Sequence, residues 1–124
     1  MDTKQVGEKL VALCREGRNL DAVNTLYSPD IVSVEAMQTG PMPAEQRGIE
    51  AIRGKNKWWI DNHEVHSAST DGPYPNGDRF TVKYHYEITP KTGPASGQRI
   101  AMDEVALYTV ANGKIVKEEF FYAM

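Results

Sequence analysis

The 124-residue chain predicts an α+β fold, a cone-shaped α+β barrel in which N-terminal helices pack into a curved, mixed but mostly antiparallel sheet. Three observations predict it. Helical periodicity is confined to the first half of the chain, and beyond Asn62 the pattern is that of strands. The stretch from Glu104 to Tyr122 reads as two strands around Asn112-Gly113, the strongest short-range hairpin signal. The length fits one domain, residues 1–124, large enough for a proper core.

The first helix is marked by Val6, Leu10, Leu13 and Cys14 at helical spacing, with Asp2 or Thr3 placed to cap it. Gly17-Arg18-Asn19 breaks it, and Asn19 is positioned to cap a short second helix with an apolar face of Leu20, Val23, Leu26 and Tyr27. Pro29 ends that helix. Ile31 to Met37 alternates and is rich in β-branched residues, so it predicts a strand. Gln38 to Arg47 holds Gly40, Pro41 and Pro43 and predicts a loop at the cavity mouth. Ile49, Ile52, Asn56, Trp59 and Ile60 mark a third helix, weakened at Gly54.

Strands follow. His63 to Asp71 is the first, and Gly72 to Gly77 predicts a turn. Phe80, Val82, Tyr84, Tyr86 and Ile88 then alternate with Thr81, Lys83, His85 and Glu87, giving a half-buried strand with an aromatic inner face. A loop from Thr89 to Gly97 leads to the strand Gln98 to Val110 and the last hairpin. That hairpin is apolar on both faces, with Val105, Leu107 and Phe121 on the side away from the helices. A strand apolar on both faces needs a second cover, and a homodimer through the sheet is expected to supply it.

Composition excludes several function classes. Formal charge is −3 with a pI near 5.6, and Lys and Arg are scattered, so no basic stripe exists for nucleic acid. Lys4, Glu8, Lys9, Arg15 and Glu16 interrupt the N-terminus, which fits neither a signal peptide nor a membrane span. One cysteine, Cys14, rules out an internal disulfide. The chain reads as cytoplasmic. His63 and His66 are three apart on an expected strand and face opposite ways, so no metal site is expected.

Three motifs then narrow the reading: Asn19-Leu-Asp-Ala-Val-Asn-Thr-Leu-Tyr-Ser-Pro-Asp30 entering a strand, Gly48-Ile-Glu-Ala-Ile-Arg-Gly54, and Gly113-Lys-Ile-Val116 ending in Phe-Phe-Tyr. In these the chain resembles the nuclear transport factor 2-like, or SnoaL-like, superfamily, which includes ketosteroid isomerases, polyketide cyclases and dehydratases. The resemblance implies a cone with a ligand cavity. Aligned without gaps, it places Glu35 where the isomerases carry the carboxylate that moves the proton. Their oxyanion tyrosine falls on Val11, and their oxyanion aspartate on Val105 or Ala106, so neither donor is kept.

Glu35 is therefore one candidate catalytic residue, a general base in an apolar cavity. The alternation of its own strand, however, sets it with Ser33 on the polar face, opposite Val32, Val34 and Ala36. Glu104 is the second catalytic candidate. If Tyr108 and Tyr122 point into the cone, the period of two places Glu104 and Glu118 there as well. Two carboxyls in one apolar space repel, so one keeps a proton and can donate to a developing oxyanion, the isomerases' own device. The competing reading pairs these acids with Arg99, Lys114 or Lys117, or sets them at the dimer interface. Trp59, Phe80, Tyr84, Tyr108, Glu118, Phe120 and Tyr122 are the expected pocket lining. The implied activity is proton transfer beside a carbonyl, needing no cofactor, on a small apolar or carbonyl-bearing molecule. A non-catalytic dimeric binding module is the alternative.

Overall fold

The computed structural model describes residues 1–38 and 40–123. Its elements, in chain order, are α1 (Thr3–Arg15), α2 (Asn19–Leu26), β1 (Tyr27–Val34), β2 (Glu45–Arg47), α3 (Ile49–Asn62), β3 (His63–Asn76), β4 (Arg79–Pro90), β5 (Ile100–Ala111) and β6 (Lys114–Phe121). The strands form one curved, unclosed sheet in the order β2-β1-β6-β5-β4-β3. Only β1 and β6 run parallel; every other neighbouring pair is antiparallel. The class is α+β, with three helices on one side of a mixed sheet.

Local chemistry explains most boundaries. Asp2 caps α1 by accepting from the Gln5 N–H at 2.8 Å, and the Gln5 side chain reciprocates to the Asp2 N–H at 3.0 Å. The β5–β6 hairpin turns at Asn112 and Gly113, with φ of 52° and 74°. Those positive values are what a two-residue type I′ turn requires, and Asn-Gly tolerates them. Val6, Leu10, Val11, Val23 and Leu26 from the helices meet Ile31, Val82, Ala106 and Ile115 from the sheet in one apolar core. Each Val, Leu or Ile among them contributes roughly 1.5–3 kcal/mol through loss of water contact.

Several expectations need correction. Asn19 is the first residue of α2 and not its cap; Arg18 stands at the cap position, and its side chain makes no capping hydrogen bond. The helix ends at Leu26, before Pro29, because Tyr27 already pairs with Ile115 of β6, and the register slips between Tyr27 and Val32. Leu20 and Ile60, expected on apolar helix faces, are exposed. Glu45–Arg47 pairs with Val32 to Val34, so the expected loop ends in a short edge strand; Thr39 of that loop lies outside the described residues. Gly72 to Asn76 is not a turn. The chain passes through it with a register shift between Asp71 and Tyr74, and β3 continues to Asn76. Ladder partners on β4 outweigh the local turn signal.

Close approach explains Gly7. A Cβ there would lie 2.8 Å from Pro73 Cβ and 3.2 Å from Phe80 Cδ2, where α1 crosses the sheet. Helix propensity alone favours Gly7→Ala by about 1 kcal/mol, but overpacking of this kind costs about 1–3 kcal/mol. The sum is a net loss. Urea denaturation of G7A is expected to give a lower midpoint than wild type, and a higher one would mean that α1 is free to move off Pro73.

Candidate active site

The helices and the inner face of the sheet enclose a cavity of about 1140 Å³, at the large end for a small-molecule site. Period-two alternation decides which strand residues reach it. On β5 and β4 the facing pairs Glu104 with Tyr84 and Met102 with Tyr86 point inward. On β6 Glu118 lies opposite Tyr108, and Phe120 follows on the same face. From α3, Ile52, Lys55, Asn56 and Trp59 recur at helical spacing and face the same space. Gly40 to Pro43 border its mouth, as expected of that loop.

Glu118 is 3% exposed. The Tyr27 hydroxyl donates to its Oε2, and the Ser33 hydroxyl donates to its Oε1 at 2.8 Å. Ser33 in turn accepts from the Lys55 ammonium at 2.7 Å, and the same Nζ lies 2.5 Å from Glu35 Oε1. Glu35 Oε2 accepts from the Tyr122 hydroxyl at 3.0 Å. A single chain of polar contacts thus runs Tyr27–Glu118–Ser33–Lys55–Glu35–Tyr122. Burial raises the Glu118 carboxyl, while Lys55 and the two hydroxyls oppose that shift.

Glu104 differs. Among the described residues no hydrogen bond or ion pair holds it. Its carboxyl is pushed up to about 8, first by burial and then by the charge of Glu35, with Lys55 acting the other way. It therefore keeps its proton at neutral pH. Nearby, the Tyr84 and Tyr108 hydroxyls lie 2.7 Å apart, and Cys14 Sγ is 3.9 Å from the Tyr84 hydroxyl. Three X–H groups share two contacts, so one hydrogen is left over. It falls on Tyr108 when Cys14 donates to Tyr84 and Tyr84 to Tyr108. Burial pushes the Cys14 thiol up to about 11, which makes it a packed thiol and not a nucleophile.

The expected site residues sort as follows. Glu35, Glu104, Glu118, Trp59, Tyr84, Tyr108, Phe120 and Tyr122 all border the cavity. Phe80 does not. It is 1% exposed and stacks on Tyr108 with ring centroids 4.9 Å apart, on the side where α1 covers the sheet. The alternative partners for the acids are engaged elsewhere: Arg99 approaches Glu87 at 4.0 Å, Lys114 donates to the Thr25 carbonyl, and Lys117 pairs with Glu119. His63 lines the cavity with its Nδ1 held to the Trp59 carbonyl at 2.7 Å, whereas His66 is exposed on Thr89. Lys55, Ser33 and Tyr27 were missed as site residues. The legible signal was Lys55 itself, a charged residue on the face of α3 that carries Ile52 and Trp59.

A family model described as a SnoaL-like domain matches residues 1–122. A Mesorhizobium loti structure described as a candidate SnoaL-like polyketide cyclase, with carbohydrate phosphatase in brackets, is 46% identical over 98% of this chain and 100% of its own, at a TM-score of 0.91. An NTF2-like protein of Burkholderia thailandensis is 18% identical over 99% of this chain and 92% of its own, at a TM-score of 0.80. A candidate SnoaL-like polyketide cyclase of Jannaschia sp. CCS1 is 19% identical over 98% and 88%, at a TM-score of 0.74. At such identities the last two show the fold alone. No curated protein matches the chain.

The protonation of Glu104 has a signature in stability. Its folded pKa lies above the unfolded value, so the native state binds the proton more tightly, and stability is lost as pH rises from the unfolded pKa towards about 8. Glu104→Gln removes that loss. Urea midpoints are expected to show E104Q gaining on wild type between about pH 4.5 and 8 and then holding a constant lead. A pH-independent difference would place the Glu104 carboxyl in water.

Proposed function

Because the chain belongs to the SnoaL-like domain family, we propose that it is a small-molecule acid–base enzyme that moves a proton next to a carbonyl, by isomerisation, cyclisation or dehydration, without a cofactor. One observation carries the reading. Two carboxyl groups in one cavity sit in opposite environments: Glu35 is paired with an ammonium at 2.5 Å, and Glu104, with no hydrogen bond or ion pair among the described residues, is pushed up to about 8 by burial. Two carboxyls in such different surroundings can divide the work of base and acid.

In this mechanism Glu35 is the base. Lys55 and Tyr122 each occupy one site on its two oxygens, leaving further lone pairs to accept a carbon-bound proton. The negative charge that develops on the carbonyl oxygen is met by the neutral Glu104 carboxyl, supported by the Tyr108 hydroxyl. These donors stand in for the oxyanion partners lost at Val11 and at Val105 or Ala106. Glu118 and Ser33 act through Lys55, holding it against Glu35. The family resemblance to polyketide cyclases and isomerases supports the reaction class, and Cys14 as a lone thiol suits the cytoplasm.

A second reading, a binding module without turnover, is favoured by the same short ion pair, since Lys55 competes with substrate for Glu35. Both readings include a homodimer. Val105 and Phe121 are cross-strand neighbours on the outer face, 40% and 53% exposed, with half-buried Leu107 beside them. A second copy of that face is the proposed cover.

Deuterium exchange at carbon beside the carbonyl, followed by NMR over a panel of small ketones, tests the chemistry without a known substrate. Wild-type protein is expected to accelerate exchange, and Glu35→Gln to slow it by about 10²–10⁴-fold. Full activity in E35Q would remove Glu35 from the mechanism, and no exchange with any ketone that binds would leave the binding module. Sedimentation at micromolar concentration is expected to give a dimer; a monomer would refute the outer-face interface.

A further inference from the structure

The charge inventory of the cavity is lopsided. At its rim Arg18 and Asp21 hold each other at 2.8 Å. Deeper, the carboxyls of Glu35, Glu104 and Glu118 face, among the described residues, one ammonium, that of Lys55. Lys55 is already engaged by Glu35 and Ser33, and its Nζ lies 4.7 Å over the Phe120 ring. Glu118 is satisfied by two hydroxyls. Glu104 is left over, with neither a cation nor a hydrogen bond among the described residues.

The wall beside Glu104 is a run of rings. Tyr84, its cross-strand partner, stacks on Tyr86 at 6.0 Å, and Tyr86 meets Trp59 at 5.3 Å. Trp59 stacks on His63 at 4.6 Å, and Trp58 meets His63 edge-on at 5.9 Å. The π face of such a ring is negative and attracts an organic cation, most strongly where water is excluded. Surplus carboxyls add attraction of the same sign and repel anions.

We propose that the cavity takes a ligand bearing a cationic amine or quaternary ammonium group, seated against Trp59 and Tyr86 with Glu104 as its counter-ion. The proposal goes beyond the acid–base reading and does not rest on it. In the empty cavity Glu104 keeps its proton; on binding, the cation replaces that proton, which leaves to solvent. Glu104 is then neutral towards a carbonyl oxygen and ionised towards a cation. A substrate carrying both groups would leave the carbonyl to the Tyr108 hydroxyl.

Titration calorimetry and tryptophan fluorescence test this with probes that cannot titrate: choline and benzyltrimethylammonium. Dimethylbutanol, the uncharged carbon isostere of choline, and benzoate are the controls. Both tryptophans border the cavity, so occupancy reports on their emission. The cations are expected to bind about tenfold or more tightly than the isostere, and benzoate not to bind. Their affinity should rise with pH up to about 8 and then level, with proton release below it. Glu104→Gln should abolish the pH dependence and cut the preference several-fold, to what the rings alone supply. Trp59→Leu should weaken cation binding several-fold and keep the pH dependence, so that W59L and the wild-type pH profile decide the matter even if E104Q fails to fold. Equal binding of choline and its isostere, absence of cation binding at millimolar concentration, or a cation preference undiminished in folded E104Q would overturn the proposal. Any of these would leave the acid–base reading intact, because that reading uses Glu104 in its neutral form.

Discussion

A carboxyl group taken out of water persists in one of three ways: hydroxyls satisfy it, a cation balances it, or it keeps its proton. This cavity holds one example of each. Glu118 has the Tyr27 and Ser33 hydroxyls, Glu35 has Lys55, and Glu104 has its proton. The three solutions are not independent. Lys55 joins the first two through Ser33, and the charge of Glu35 helps to keep Glu104 neutral. Glu35, Lys55 and Glu118 all act on the Glu104 carboxyl, and Glu35 and Lys55 on that of Glu118, so the acids are electrostatically linked.

The fold serves that arrangement. Pairing of β4 with β5 sets Glu104 beside Tyr84, and pairing of β5 with β6 sets Glu118 opposite Tyr108. The parallel contact of β1 with β6 brings Ser33 level with Glu118. Helix α3 lines the cavity and delivers Lys55. Register therefore matters more here than loop conformation: a slip of one residue on β6 would exchange Glu118 for Glu119 and turn the buried acid out to solvent.

Much of this was legible in the residues. The Asn112-Gly113 turn, the alternation from Phe80 to Ile88 and the helical spacing of Val6, Leu10 and Leu13 each follow from backbone periodicity, which the structure obeys. Misreadings arose where an interior is not apolar. The alternation of β1 predicts Ser33 and Glu35 outward, since polar residues usually face water. The structure puts them on the inner side with Ile31, because that side is a cavity with its own polar partners. Lys55 escaped for the same reason: on sequence grounds a lysine is assigned to solvent. Phe80 erred the other way. Its alternation with Tyr84 was correct, but the position of α1, fixed by the glycine at position 7, decides which part of that face is core and which is cavity. Such long-range contacts leave no local trace in sequence.

The claim on which the account depends is that Glu104 is a neutral acid at physiological pH. A carbon-13 NMR titration of the glutamate side-chain carboxyls, with the Glu104 signal assigned by its loss in E104Q, measures this directly. The account predicts a midpoint near 8 for that signal. A midpoint in the ordinary carboxylate range, about 4 to 5, would contradict it.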